Sequence, residues 1–211
     1  MKIDVRHNFP EVMAKLQRLP GELRDKAMAS ALNKTSEKAR TESVRAVTDE
    51  YNVKASDIRP RFHLRRATSR GLQLVATLEA FGRRRGGRAM NVIHFLERKV
   101  TLAEARRRRK AGTLNDLRFK FKRGGGMKTI PGAFLGNQGR TVFRRIPGTT
   151  MGTRSKFGGT KHAEQIEPVT VIDLPQMFTS RKINERVVAR IQREFPVEFD
   201  RAARLVLSRF K

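Results

Sequence analysis

Residues 61–81 read RFHLRRATSRGLQLVATLEAF, and this stretch decides the fold. Apolar residues alternate with polar ones on both sides of a polar midpoint, with Phe62, Leu64 and Ala67 before it and Leu72, Leu74, Ala76, Leu78 and Ala80 after it. A period of two puts every second side chain on one face, as in a strand half buried against a core. Arg70-Gly71 supplies the turn, so Arg61 to Phe81 is expected to form an antiparallel hairpin with one face buried.

Upstream, Ile58 to Pro60 ends a helical pattern. That helix is expected to begin at Pro20, whose missing N–H falls where the first helical turn has no use for it. Glu22 and Asp25 complement the positive helix end, and Ala27, Met28, Ala31, Leu32, Ala39, Ala46 and Val47 carry the pattern to Tyr51-Asn52. A stripe built from Ala, Ser and Thr lets such a helix lie close against a neighbour, leaving its Arg and Lys outside. Before it, a helical turn from Pro10 to Leu19 and a short strand at Lys2 to Val5 are expected.

Downstream, Asn91 to Leu96, Lys128 to Ile130, Thr141 to Arg145 and Val169 to Ile172 read as short strands, with Gly-rich connections around Gly136, Gly148 and Gly158-Gly159. Between the first two the composition shifts abruptly, and residues 97–126 read as a flexible, basic, Gly-rich insertion. Inside it Leu117, Phe119 and Phe121 alternate with Arg118, Lys120 and Lys122, so one strand is expected to continue the sheet with its other face cationic. Thr179 or Ser180 can cap a final helix whose apolar face uses Ile183, Val187, Ile191, Phe195, Phe199, Ala202, Leu205 and Val206, with Pro196 expected to kink or split it. The order gives an α+β class: a single domain over 1–211, its long N-terminal and kinked C-terminal helices packed on a small antiparallel sheet or partly closed barrel.

Charge narrows the function. Forty-seven Lys and Arg against 20 Asp and Glu leave a formal charge of +27, a self-repulsion that an anionic partner would relieve. Nucleic acid is the default polyanion, since neutralised phosphates release counterions whatever the sequence, and an acidic protein partner is the rival. No stretch approaches the ~20 apolar residues of a spanning helix. The absence of Cys excludes a disulfide framework and a thiolate zinc site, and fits a reducing compartment.

Catalytic chemistry is hard to find. His7, His63, His94 and His162 stand far apart with no ligand spacing between them, and the acidic residues are scattered. Gly124-Gly125-Gly126-Met127-Lys128-Thr129 resembles a phosphate loop only superficially, because Met127 breaks the required Gly-Lys adjacency. The expectation is a protein that is no enzyme and holds no metal or cofactor. The strongest local signals are basic: Arg83, Arg84, Arg85 and Arg88; Arg106, Arg107, Arg108, Arg109 and Lys110; and Arg118, Lys120, Lys122 and Arg123. Without interleaved surface aromatics such residues favour phosphate contact over base stacking, and these three groups are the candidate DNA-facing residues. Met177-Phe178, directly before the last helix, either seals the core or docks on a neighbouring subunit.

Several short motifs occur in a telling order: Ala31-Leu32-Asn33-Lys34-Thr35 and Ala39-Arg40-Thr41-Glu42, Tyr51-Asn52-Val53-Lys54-Ala55 with Ile58-Arg59, Ile130-Pro131-Gly132-Ala133-Phe134, Val142-Phe143-Arg144-Arg145, Pro168-Val169, and Leu174-Pro175-Gln176-Met177-Phe178. Together they cover most of the chain, and in this order the sequence resembles the minor tail protein Z family, the tail-completion proteins of lambda-like tailed bacteriophages. The resemblance implies a virion structural protein at the head-proximal end of a tail, assembled in the host cytoplasm beside other neck and tail proteins. It also implies a homo-oligomeric ring, sixfold by the tail's symmetry, that supports head-tail joining and contacts packaged double-stranded DNA without reading its sequence. In such a ring Met177 and Phe178 become candidate subunit contacts. The alternatives are a non-sequence-specific nucleic-acid-binding protein and a related head-tail connector or tail terminator.

Overall fold

A computed structural model describes residues 21–69, 74–82, 90–97, 103–104, 107, 117–154 and 160–208. The expected Lys2 to Val5 strand, the Pro10 helical turn and the Arg70-Gly71 turn lie outside them. The described residues of Met1–Asp49, Lys54–Gly87 and Asp173–Lys211 form one compact unit, and those of Glu50–Val53 and Arg88–Ile172 form a second.

The first unit is built on two long helices. Helix α1 (Gly21–Glu50) starts and stops within two residues of the expected bounds. Its buried positions are mostly small: Ala27, Ala29, Ala31, Thr35, Ala39, Ser43 and Ala46 beside Leu23, Val44 and Val47. Small residues bring the backbone close to a neighbour, and Ala27 and Ala31 make room for Phe195, Phe199 and Ala202 of the last helix in one core cluster. The Phe195 and Phe199 rings stack with centroids 6.4 Å apart. That last helix, which takes the label α4 in chain order (Arg181–Ser208), runs through Pro196 without splitting, contrary to one of the two expected outcomes. Pro196 lacks only the hydrogen bond to the Gln192 carbonyl, and burial of Phe195 and Phe199 on either side holds the helix together.

Ion pairs set the direction of the pair. Lys38 meets Glu194 and Glu198, whereas Arg186 meets Glu42 at 2.5 Å and Asp49 at 2.7 Å. Later residues of α1 face earlier ones of α4, so the two helices run antiparallel.

Beside them, helix α2 (Ala55–Ile58) and a 3-10 turn (Arg59–Arg61) lead into the hairpin of β1 (Phe62–Arg65) and β2 (Thr77–Ala80). Phe62 pairs with Ala80 and Leu64 with Leu78, a register centred on residue 71 as the sequence predicts, although Leu74 and Ala76 stay outside the ladder. Asn33 of α1 acts as a piece of strand: its side-chain Nδ2 donates to the Ala67 carbonyl at 3.0 Å while its Oδ1 accepts from the Ala67 N–H at 2.7 Å. Helix α3 (Leu174–Phe178) closes this unit. Asp173 and Gln176 form a capping box at its start, and the fully buried Phe178 ring meets Phe62 edge-on at 5.4 Å.

The second unit is mostly β. Strand β3 (Arg118–Phe119) pairs with β4 (Lys128–Thr129), while β5 (Ala133–Gly136), β6 (Thr141–Arg154) and β7 (Thr160–Pro168) form a three-stranded antiparallel sheet in that order. Val92, Leu117, Phe119, Ala133 and Val142 make its core. Between Arg145 and Thr150 the β6–β7 register shifts, at Ile146-Pro147-Gly148-Thr149. Pro147 has no N–H for a ladder, Gly148 takes φ +78, and the Thr149 hydroxyl accepts from the Gln165 N–H instead.

Three sequence expectations change here. Asn91 to Leu96 is a 3-10 helix (Val92–Phe95) and no strand, because Asn91 Oδ1 accepts from the Ile93 and Val142 N–H groups while Nδ2 donates to the Val142 carbonyl. Val169 to Ile172 forms no strand either; Thr170 makes a single bridge to Asn91, flanked by bonds from Val169 N to Val142 O and from Val171 N to Met90 O. The Gly148 connection lies within a strand 14 residues long. Among the described residues the sheets are small and antiparallel, with no closed barrel, and the α+β class holds.

Candidate nucleic-acid interface

The cationic strand is held along its whole length. Phe119 pairs with Lys128 along one edge and bridges to Leu96, Lys120 N donates to the Phe95 carbonyl at 2.9 Å, and Glu97 N donates to the Arg118 carbonyl at 3.1 Å. Farther along, Asn52 N donates to Phe121 O and Arg123 N to Glu50 O. With the backbone fixed, alternation does what the sequence predicts: Leu117 and Phe119 are buried and Phe121 is packed against the same core, while Arg118 and Lys122 are exposed and Lys120 is half-buried. Alternate side chains on a strand repeat roughly every 7 Å, so the three cations form a row. Arg123 follows directly, exposed at the start of the Gly124 to Gly126 turn, where Gly125 N donates to Lys122 O at 3.1 Å.

Among the described residues little neutralises this row. Lys122 Nζ is 3.6 Å from Glu50 Oε1 and 5.9 Å from the centre of the Tyr51 ring. Arg118, Lys120 and Arg123 have no carboxylate partner among the described residues. The neighbouring sheet adds Arg144, paired with Glu167, and Arg145, 5.5 Å over the Phe134 ring.

The reason lies in composition over a longer span than any local basic run. From Leu117 to Ala163 there are 11 Lys and Arg and no Asp or Glu, so every carboxylate available to this stretch must come from elsewhere. That signal also adds Lys128, Arg140, Arg144 and Arg145 to the candidates, of which Lys128, Arg140 and Arg145 have no carboxylate partner among the described residues.

The other candidates fare differently. Arg83, Arg84, Arg85, Arg88, Arg106, Arg108, Arg109 and Lys110 lie outside the described residues; Arg107 is described and exposed. Met177 and Phe178 are fully buried in the first unit, where they seal its core. Among the described residues no group of three His, Cys, Asp or Glu is arranged to hold a metal ion, and no helix is long and apolar enough to cross a membrane.

Residues 9–210 match the protein-family model of prophage minor tail protein Z. The chain belongs to this family. The match spans nearly the whole length, so both compact units and the cationic strand lie inside the minor tail protein Z region. No curated protein and no solved structure matches the chain significantly. Membership makes it a structural component of the tail of a phage virion, a setting in which other tail proteins are its neighbours.

Proposed function

We propose that this minor tail protein completes the head-proximal end of the tail as a ring of identical subunits, sixfold like the tail, which supports head-tail joining and turns its cationic surface toward the DNA in the channel. The observation that carries the proposal is the acid-free stretch Leu117 to Ala163, whose row of cations includes Arg118, Lys120 and Arg123 without a carboxylate partner among the described residues. A ring multiplies each row by the number of subunits. The contact is with phosphates, since the exposed positions of the row are Arg and Lys with no aromatic among them, and so it holds DNA of any sequence.

Two measurements test it. Native mass or sedimentation of the purified protein, with and without short duplex DNA, should give one closed stoichiometry; a monomer under every condition, including on assembled tails, overturns the ring. Duplex binding should weaken steeply with salt and ignore base sequence; affinity that is flat in salt overturns the phosphate contact.

A further inference from the structure

The first unit has a cleft of about 490 Å³ where α1 faces the segment Arg59 to Arg66. It differs from the cationic strand in shape and in lining. Pro60 and Leu64 give it apolar surface over the buried Val44 and Phe62, while Arg40, Arg59 and Arg66 bring positive charge to it and His63 an imidazole ring. Among the described residues Glu37 is the one carboxylate in the lining, and it already accepts from Arg66 at 2.7 Å.

Arg40 is the group that asks for a ligand. One of its Nη groups donates to the Arg59 carbonyl at 3.1 Å, which fixes the guanidinium between α1 and the opposite wall. Its Nε is buried and has no acceptor among the described residues. The Arg40 guanidinium lines the cleft, where its remaining Nη hydrogens can meet an oxygen anion entering from solvent. Carboxylates fit the edge of a guanidinium with two parallel hydrogen bonds, and such charge-assisted bonds are among the strongest a side chain makes.

Volume and lining select the kind of anion. A DNA duplex, whose major groove alone is about 12 Å wide, does not enter a space of this size. A bare inorganic anion would leave the apolar wall unused. An acidic side chain of a polypeptide, flanked by apolar residues, uses both: its carboxylate meets Arg40, and its neighbours cover Pro60 and Leu64.

We propose that this cleft is a socket for an acidic residue flanked by apolar residues on a protein partner, a docking point separate from any DNA-facing surface. Arg40 is its anchor. Arg66, whose side chain is 68% exposed, sits at the rim and keeps Glu37 from repelling the incoming carboxylate. The socket belongs to the first unit alone, so it needs neither the cationic strand nor ring closure to form.

The test uses the full-length ¹⁵N-labelled protein and two acetylated hexapeptides, one alternating Leu with Glu and one alternating Leu with Gln. With a charge of +27 the protein will attract any acidic peptide weakly, so the readout must be local. The Glu peptide is expected to shift the amide resonances of Thr41, Val44, His63 and Leu64, and the Gln peptide to leave them in place. Arg40→Gln should weaken the Glu peptide at least tenfold while the remaining spectrum stays that of a folded protein. Arg66→Gln, at an exposed position that the fold tolerates, should weaken it several-fold by releasing Glu37, which keeps the test decisive if Arg40→Gln fails to fold. Shifts confined to residues 117–123, equal effects of the two peptides, or the same cleft shifts with inorganic phosphate or duplex DNA at matched concentration would each overturn the socket.

Discussion

Lys38 Nζ lies 2.6 Å from Glu198 Oε1, a carboxylate with only 3% of its side chain exposed. The same ammonium is 2.6 Å from Glu194 Oε2, and Arg201 approaches Glu198 at 3.0 Å, so the one nearly buried acid of α4 is held by cations from two helices. Removing Glu198 leaves Lys38 with Glu194 as its carboxylate partner and takes the Glu198 contact from Arg201. Glu198→Ala is expected to destabilise the protein by about 1.5 kcal/mol in chemical denaturation, the cost of losing charge-assisted hydrogen bonds while Glu194 keeps Lys38 paired. Glu185→Ala, which removes an exposed pair with Arg181, should change stability by less than about 0.5 kcal/mol.

The same cluster makes stability depend on pH at both extremes. Hydrogen bonds from Lys38 hold the Glu194 and Glu198 carboxyls below their ordinary value of 4.5, against the opposing effect of burial. Their contribution is therefore complete above pH 4.5 and is lost as pH falls through the lower folded-state values. Lys38 is raised above its ordinary 10.5 by its bonds to Glu194 and then Glu198, so its contribution is complete below pH 10.5 and is lost as pH rises further. Thermal melts from pH 2 to 7 should show an acid limb that Lys38→Met flattens, and an unchanged limb would remove the cluster from the explanation.

Gly82 sits against the cap of α3. A Cβ built there would come within 1.9 Å of Asp173 Oδ2, while Arg61 donates to the Gly82 carbonyl at 2.8 Å and keeps the backbone from moving away. Gly82→Ala should displace Asp173, open the capping box with Gln176 and cost about 1–3 kcal/mol. Equilibrium denaturation measures it, and Asp173→Asn should recover little of the loss, because the clash is steric.

The combined change Arg118→Ala, Lys120→Ala and Arg123→Ala is expected to weaken duplex binding at every sequence alike. The slope of log affinity against log salt should shrink by about 1 for each phosphate contact removed. Fluorescence anisotropy over a salt series reads both, and the thermal midpoint should hold because none of the three has a carboxylate partner among the described residues.

Much of this fold was legible because burial writes a period into the sequence. The 62–80 hairpin and the Leu117, Phe119, Phe121 strand each keep one face in a core, and both were found by alternation. Strand β7 was missed for the opposite reason: Glu164, Gln165 and Ile166 are all exposed, and a ribbon with no buried face carries no hydrophobic period. Asn91 misled because its decisive bonds go to Val142, 51 residues away, and no local pattern reports them. For the interface, the cations were visible but their lack of partners was not, since Glu50 and Glu167 neutralise two of them from distant positions. The cleft was invisible for the same reason, being assembled from two segments about 20 residues apart in the chain.

The antiparallel course of α1 and α4 brings Gly21 and Ser208 out at the same end of the helix pair. Tension applied between those two points would open the pair like a zip, loading the Phe199 packing first, then the Lys38 contacts, and the Arg186 contacts last. Such a geometry yields at low force when pulled from that end. An attachment at the Arg186 end would instead meet the ion pairs of that end first, so where a neighbouring tail protein grips this helix pair decides how much load it can carry.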